Sequence, residues 1–368
     1  MRIAMLAAGN SVHTIRWANA LAERRSEVHL FSVQSFGPAL AATVYRHKLA
    51  IPAPWGYVLA GRELRRRLDE VQPCLLHAHY ASGYGTLARL SAFRPLVLSV
   101  WGSDVYDFPK TSPLHRRLIQ ANLRHADMLC STSHVMAEQC RSFCPELRDI
   151  GVTPFGVEVD RFRPMTRTAK QGTITIGTIK TLRPKYGIDT LIQGFAACRR
   201  SLRQRHPEIA QRLRLRIVGG GPQRAGLERL SAEEGVRDVT TFVGAVPHDK
   251  VPEESSRLDI YVAVSRLDSE SFGVAVVEAS ACELPVVVSN VGGLPEVVVD
   301  GETGFVIPAD DPPALAESLK RLIMNPELRS AMGTAGRRFV RRNYQWSECV
   351  TLMENLYRQV VAPRAMAS

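Results

Sequence analysis

Two carboxylates, Glu270 and Glu278, stand eight positions apart, with Phe272, Gly273 and Val274 between them. That spacing spans a glycine turn and the first turns of a helix, so the two acids face different tasks. Glu278 could accept hydrogen bonds from both hydroxyls of a ribose, as an acidic residue does in dinucleotide-binding folds. Glu270, ahead of the turn, would face a sugar. The amides of Phe272, Gly273 and Val274 would emerge at the helix N-terminus, where anions and electronegative oxygens are favoured. The same acids also read as a helix-cap carboxylate and a surface charge. Upstream, Lys180, Arg183 and Lys185 follow directly on an apolar run, with Gly187 beside them. Three cations in a loop suit a diphosphate and could neutralise charge building on a departing phosphate, and the glycine permits close backbone approach. An exposed basic loop of no chemical consequence has the same composition.

The elements that would carry these loops alternate between short apolar runs and amphipathic stretches, the pattern of parallel strands with crossover helices. Residues 3–8, 28–33, 75–79 and 96–100 read as strands of a first series, with a helix carrying Ile15, Trp17, Ala18 and Leu21 after the first. Residues 173–179, 213–218, 240–243, 260–264 and 286–289 read as a second series. Between them, residues 161–171 break into proline, glycine and polar residues, as a linker does. The expected fold is α/β: two Rossmann-like doubly wound domains facing across a cleft, with ligands at the strand C-termini. The expected boundaries are 1–165, 166–342, and a final helix and tail at 343–368.

Composition narrows the class. A chain of 368 residues exceeds what one core usually supports, and 45% hydrophobic with 23% charged residues is globular. No apolar run approaches the roughly 20 residues of a membrane span, and the N-terminus reads as a strand rather than a signal peptide. Seven scattered cysteines fit reduced thiols in the cytoplasm. A net charge of +11, with basic clusters at 62–67, 199–205 and 337–342, favours an anionic partner or else marks solvated helix faces. An anionic membrane surface is one candidate. Nucleic acid is not expected, because no aromatic-interleaved basic module or helix-turn-helix pattern accompanies the charge.

These residues meet a known pattern. Glu270 and Glu278, the run from Val291 through Gly292, Gly293, Pro295 and Glu296 to Gly301 and Gly304, the cluster Gly219, Gly220, Gly221 and Pro222, and the segment from Pro154 and Phe155 through Gly156 to Asp160 and Phe162 resemble retaining GT-B glycosyltransferases of group 1, also called family 4. The resemblance covers most of the chain. It implies that the family's arginine and lysine that grip the donor diphosphate fall at Lys180 and Lys185, with Arg183 sharing the task because a lysine stands where the forked arginine is usual. It implies that Glu278 holds the ribose, that Glu270 meets the transferred sugar, and that Gly9 lets the N-terminal domain approach the phosphates. It also implies a C-terminal helix crossing back to the N-domain.

The chain departs from the family on the acceptor side. Where many members have a histidine, this chain has Trp101, which cannot accept a proton. Asp104 becomes the candidate for polarising the acceptor, with His79 next, and His13 and Trp101 as further acceptor-side residues; Asp104 also reads as an ordinary turn or cap residue. The implied activity is retaining transfer of a hexose-type sugar from a nucleotide-sugar such as a UDP- or GDP-sugar to a saccharide or lipid-linked saccharide, in bacterial-type cell-surface polysaccharide or glycolipid synthesis. Glu270, Lys185 and Asp104 would carry catalysis. No metal and no cofactor beyond the donor are expected, and the setting would be cytoplasmic, peripheral on the inner face of the membrane. The competing readings are an epimerase or phosphorylase-like protein and a nucleotide-sugar binder whose catalysis has decayed.

Overall fold

The computed structural model describes every residue except 148, 166–171 and 366–368, and every side chain of the rest except those of 363–365. Most of the segment expected as a linker, 166–171, therefore lies outside the described residues. The chain divides into two compact units: residues 1–154 with 347–368, and residues 155–346.

The first unit holds a seven-stranded sheet of β1 (Arg2–Leu6), β2 (Glu27–Ser32), β3 (Tyr45–Lys48), β4 (Leu75–His79), β5 (Leu96–Val100), β6 (Met128–Ser131) and β7 (Ile150–Val152), in the order β3-β2-β1-β4-β5-β6-β7. The second unit holds β8 (Ile174–Ile179), β9 (Leu213–Val218), β10 (Thr240–Gly244), β11 (Ile260–Ala263), β12 (Val286–Ser289) and β13 (Gly304–Ile307), in the order β10-β9-β8-β11-β12-β13. The described strand pairs are parallel. Parallel strands covered by helices on both faces are buried throughout, as β4 and β5 illustrate with five buried residues each. Each unit packs a core of its own.

The order of each sheet reverses once, between β1 and β4 and between β8 and β11. At such a reversal the loops leaving the two strands turn to opposite faces and open a crevice at their C-terminal ends. Those loops carry Gly9 and Tyr80 in the first unit, and Lys180 and Glu270 in the second.

The last helix, Trp346–Ala365, belongs to the first unit almost entirely. Its fully buried Tyr357 brings its hydroxyl 2.6 Å from His77 Nδ1 on β4. The methyls of Leu356 lie where a β-carbon on Gly151 would sit, so the glycine in β7 lets this helix close on the sheet. No helix among the described residues is long and apolar enough to cross a membrane. All seven cysteines are free.

Candidate functional site

In the second unit, β8 ends at Ile179 and the next residue is Lys180. Its amide donates to Val218 O (2.9 Å), and Leu182 N donates to Gly220 O (2.9 Å), so the loop keeps to the β9 edge past the end of both strands. A β-carbon on Gly219, at φ +144°, would fall 1.8 Å from Lys180 O. No side chain fits there. The loop then turns through Pro184–Tyr186 to Gly187, at φ +63°, where a β-carbon would meet Val264 O at 2.0 Å. Arg266 ties this turn down: its amide donates to Lys185 O (2.8 Å), its guanidinium to Pro184 O (3.1 Å) and Thr190 Oγ1 (3.0 Å), and it pairs with Asp189 (2.8 Å) and Asp310.

The loop after β11 is fixed by the other glycine pair. Gly293 N donates to Glu270 O (3.0 Å). A β-carbon on Gly292 would meet Glu270 O at 2.4 Å, and one on Gly293 would meet Ser271 O at 2.2 Å. The Glu270 carboxylate accepts a hydrogen bond from Lys180. The two side chains meet at 2.9 Å, with 17% of the lysine and 10% of the glutamate exposed. Burial, the largest single influence, lowers the Lys180 pKa, but the Glu270 carboxylate together with Tyr261 and Tyr186 outweighs it and the pKa is raised, so the ammonium stays charged.

Lys180 Nζ also stands 4.6 Å from the centre of the Tyr186 ring, and Lys185 Nζ stands 4.9 Å from it. Tyr186 thus gathers both cations by cation–π attraction. Arg183 projects into solvent. Glu278 lies on the helix Val274–Ala281 with 8% of its side chain exposed, and its Oε1 is 2.7 Å from His248 Nε2. Phe272 is buried against Phe155 and Tyr344, so it has only its amide to offer a ligand. The amides of Phe272, Gly273 and Val274, at the start of the helix, enter no hydrogen bond among the described residues. The structure therefore brings Lys180, Lys185 and Glu270 together around Tyr186 at the sheet reversal, with the Arg183 side chain exposed. Tyr186, Arg266 and His248 escaped the sequence reading, because a ring between two cations, a clamp and a carboxylate partner carry no periodicity.

In the first unit, a pocket of about 270 Å³ lies against the ends of β1, β4 and β5. His79, Tyr80 and Trp101 line it beside Thr14, Gln34 and Tyr57. The His79 and Trp101 rings lie 4.6 Å apart, and His13 meets Trp101 edge-on at 5.9 Å. His79 is buried, which with the neighbouring His77 and His13 holds its pKa well below the usual imidazole range. Tyr80 sits at φ +80°, a conformation that costs a tyrosine of the order of 1–3 kcal/mol and survives only where its surroundings hold it.

Two expectations change on this side. Asp104 is fully buried, and its oxygens accept from the amides of Ala81 (2.7 Å), Gly102 (2.8 Å) and Trp101 (3.1 Å). Burial raises its pKa against the pull of those amides. Its oxygens are already taken by these amides, and it is not among the residues that line the pocket. It is a strut joining the Tyr80 and Trp101 loops, not a polarising group. Gly9 is a glycine because a β-carbon there would meet Phe36 Cδ1 at 2.6 Å and Ser35 O at 2.9 Å. The chain's own packing already requires a glycine there.

Comparison with known proteins agrees with this arrangement. Residues 163–339 match the family described as Glycosyl transferases group 1, and residues 2–133 match the Glycosyl transferase 4-like family. A GDP-mannose-dependent alpha-(1-6)-phosphatidylinositol monomannoside mannosyltransferase of Mycolicibacterium smegmatis is 31% identical over 275 residues, 71% of this chain and 69% of that protein. A D-inositol 3-phosphate glycosyltransferase of Streptomyces scabiei is 30% identical over 376 residues, covering 89% of this chain and 81% of its own length. Among solved structures, the sucrose-phosphate synthase of Thermosynechococcus elongatus shares the fold with a TM-score of 0.84 at 21% identity, covering 99% of this chain and 100% of that one. Two doubly wound units, the glycine-laced Lys180 and Glu270 loops and these matches lead to one conclusion: the chain belongs to the group 1 glycosyltransferases of the GT-B type.

Proposed function

We propose that this glycosyltransferase acts with retention of configuration, moving a hexose-type sugar from a GDP- or UDP-sugar to a saccharide or lipid-linked saccharide in the assembly of a bacterial cell-surface polysaccharide or glycolipid. The observation that carries the reading is the buried Lys180–Glu270 pair at the β8–β11 reversal, with Lys185 brought to the same tyrosine ring. The donor diphosphate would lie between these ammonium groups and the amides of Phe272, Gly273 and Val274, a preorganised positive site. Glu278 would hold the ribose, with one carboxylate oxygen already on His248. Glu270 would meet the transferred sugar.

In front-face transfer the bond from the anomeric carbon to the phosphate oxygen breaks with its electron pair on the phosphate. The acceptor oxygen bonds to the same face of that carbon, and its proton passes to the departing phosphate. Lys180 and Lys185 stabilise the charge that develops on it. These cations and amides take the role that a divalent ion has elsewhere, so transfer is expected to persist in EDTA. A lipid-linked acceptor would place the chain in the cytoplasm against the inner face of the membrane, where a net charge of +11 favours an anionic surface.

The relatives' printed names differ on the acceptor, one naming a phosphatidylinositol mannoside and another an inositol phosphate. They do not choose between a neutral ring and a phosphorylated one. Thermal melts with UDP-, GDP- and ADP-sugars are expected to show stabilisation by at least one donor. No shift with any of them would overturn the donor assignment. Lys185→Ala is expected to lower turnover about 100-fold or more while barely moving the melting temperature, because it removes a charge needed at the transition state from a partly exposed side chain. Stabilisation by a donor without turnover would instead mark a nucleotide-sugar binder.

A further inference from the structure

The pocket of the first unit is small and electrically unusual for a protein carrying +11. Among the described residues that line it there is no lysine, arginine, aspartate or glutamate. Its walls are aromatic rings, Trp101 and Tyr57 among them, interleaved with neutral hydrogen-bonding groups such as Gln34, Thr14 and His79. We propose that this pocket seats an uncharged, polyhydroxylated ring of the acceptor, stacked on Trp101, and rejects a ring bearing a phosphate or carboxylate. The proposal rests on the glycosyltransferase reading and deepens it, by fixing the charge class of the acceptor.

The first argument is composition. One face of a pyranose or cyclitol presents C–H groups and its rim presents hydroxyls, which calls for an aromatic platform edged by neutral donors and acceptors. At about 270 Å³ the volume lies just below the roughly 300–1,000 Å³ typical of ligand sites, which suits one ring better than a chain of them.

The second is unmet hydrogen bonding. His79 Nδ1 and Thr14 Oγ1 are buried polar atoms without a hydrogen-bond partner among the described residues. Both residues line the pocket. Leaving such a group unpaired costs about 1–3 kcal/mol, a cost that ligand hydroxyls would relieve.

The third is charge. Burial keeps His79 neutral, so the lining does not gain a cation there by protonation. An ionised phosphate brought to a site without a countercharge loses its hydration and gains nothing in return.

The fourth is rigidity. Gln34 bridges Tyr57 and Tyr84, donating to the Tyr57 hydroxyl at 3.2 Å and accepting from the Tyr84 hydroxyl at 2.8 Å. The Tyr80 hydroxyl is bonded to Ser103, and Asp104 ties the Tyr80 loop to the Trp101 loop. A preorganised wall discriminates, because it does not rearrange to admit the wrong ligand.

The test uses the full chain at pH 8. Binding of a methyl hexopyranoside, a cyclitol and the phosphate monoester of each is followed by ligand-observed NMR with saturating GDP or UDP, and transfer by mass spectrometry of the products formed with the corresponding nucleotide-sugar. The neutral rings are expected to bind and to be glycosylated, with the phosphate esters at least tenfold weaker. Trp101→Ala is expected to lower neutral-ring affinity at least tenfold, and Trp101→Phe to recover most of it. Equal or better binding of the phosphate esters, or neutral-ring binding indifferent to Trp101→Ala, would overturn the proposal while donor stabilisation in the same samples keeps the transferase reading. Loss of donor stabilisation in the unmodified protein would overturn both.

Discussion

Asp104 shows how a residue type that promises chemistry can be spent on architecture. One buried carboxylate satisfies three backbone amides drawn from two loops, and each amide left unpaired costs of the order of 1–3 kcal/mol. Asp104→Ala is therefore expected to destabilise the first unit by about 2–4 kcal/mol in urea unfolding, while a donor still stabilises the protein. Loss of transfer without loss of stability would return the residue to a direct role. The two lysines proposed to bind the donor separate in the opposite sense. Lys180 neutralises the buried Glu270, so removing it strands a carboxylate and is expected to harm folding as well as turnover, whereas Lys185 should matter mainly to turnover.

At the level of elements, glycines decide where the Lys180 and Glu270 loops lie. Gly187 adopts φ +63° with Val264 O in the place of its β-carbon, and Gly219, Gly292 and Gly293 likewise yield their side-chain space to another backbone. Gly187→Ala is expected to cost about 1–3 kcal/mol and to weaken donor-induced stabilisation, because the 180–187 loop must lift away from β11. An unchanged melting profile with and without donor would show that the loop is not so constrained. The strands divide by the same logic of contact. The apolar runs of β1, β4, β5, β8 and β11 are legible because both faces are buried. The edge strand β3 reads Tyr45, Arg46, His47 and Lys48, mostly exposed, and has no pattern to find.

For the whole chain, the contact of the last helix with β4 links stability to pH. His77 is fully buried between the Tyr357 hydroxyl (2.6 Å) and Ser99 Oγ (2.8 Å), and burial pushes its pKa down to about 3; His79 is lowered as well. In the unfolded chain each titrates near 6.5. Above that pH neither form of the chain holds the protons and the contribution is constant. Below it the unfolded chain takes them up first, so stability falls by about 1.4 kcal/mol per pH unit for each histidine, down toward pH 3 for His77. Urea midpoints at pH 7 and pH 5 should show this decline, and His77→Gln should reduce its slope. An unaltered slope in that variant would mean other groups dominate the acid response.

The order of apolar runs, the glycine clusters, the spacing of Glu270 from Glu278 and the cations after β8 were enough to point to two α/β units, the family and the two loops that meet at the β8–β11 reversal. Each is local, written in a few neighbouring residues whose types dictate backbone geometry or charge. The pairing of Lys180 with Glu270 crosses 90 positions of sequence, and that of His248 with Glu278 crosses 30. Neither partner signals the other, because the contact exists only once β8, β10 and β11 have taken their places in the sheet. The acceptor side depended on tertiary structure most of all. Only burial could reveal that Asp104 turns inward to the backbone, and only packing could bring His79 and Trp101 to one uncharged pocket.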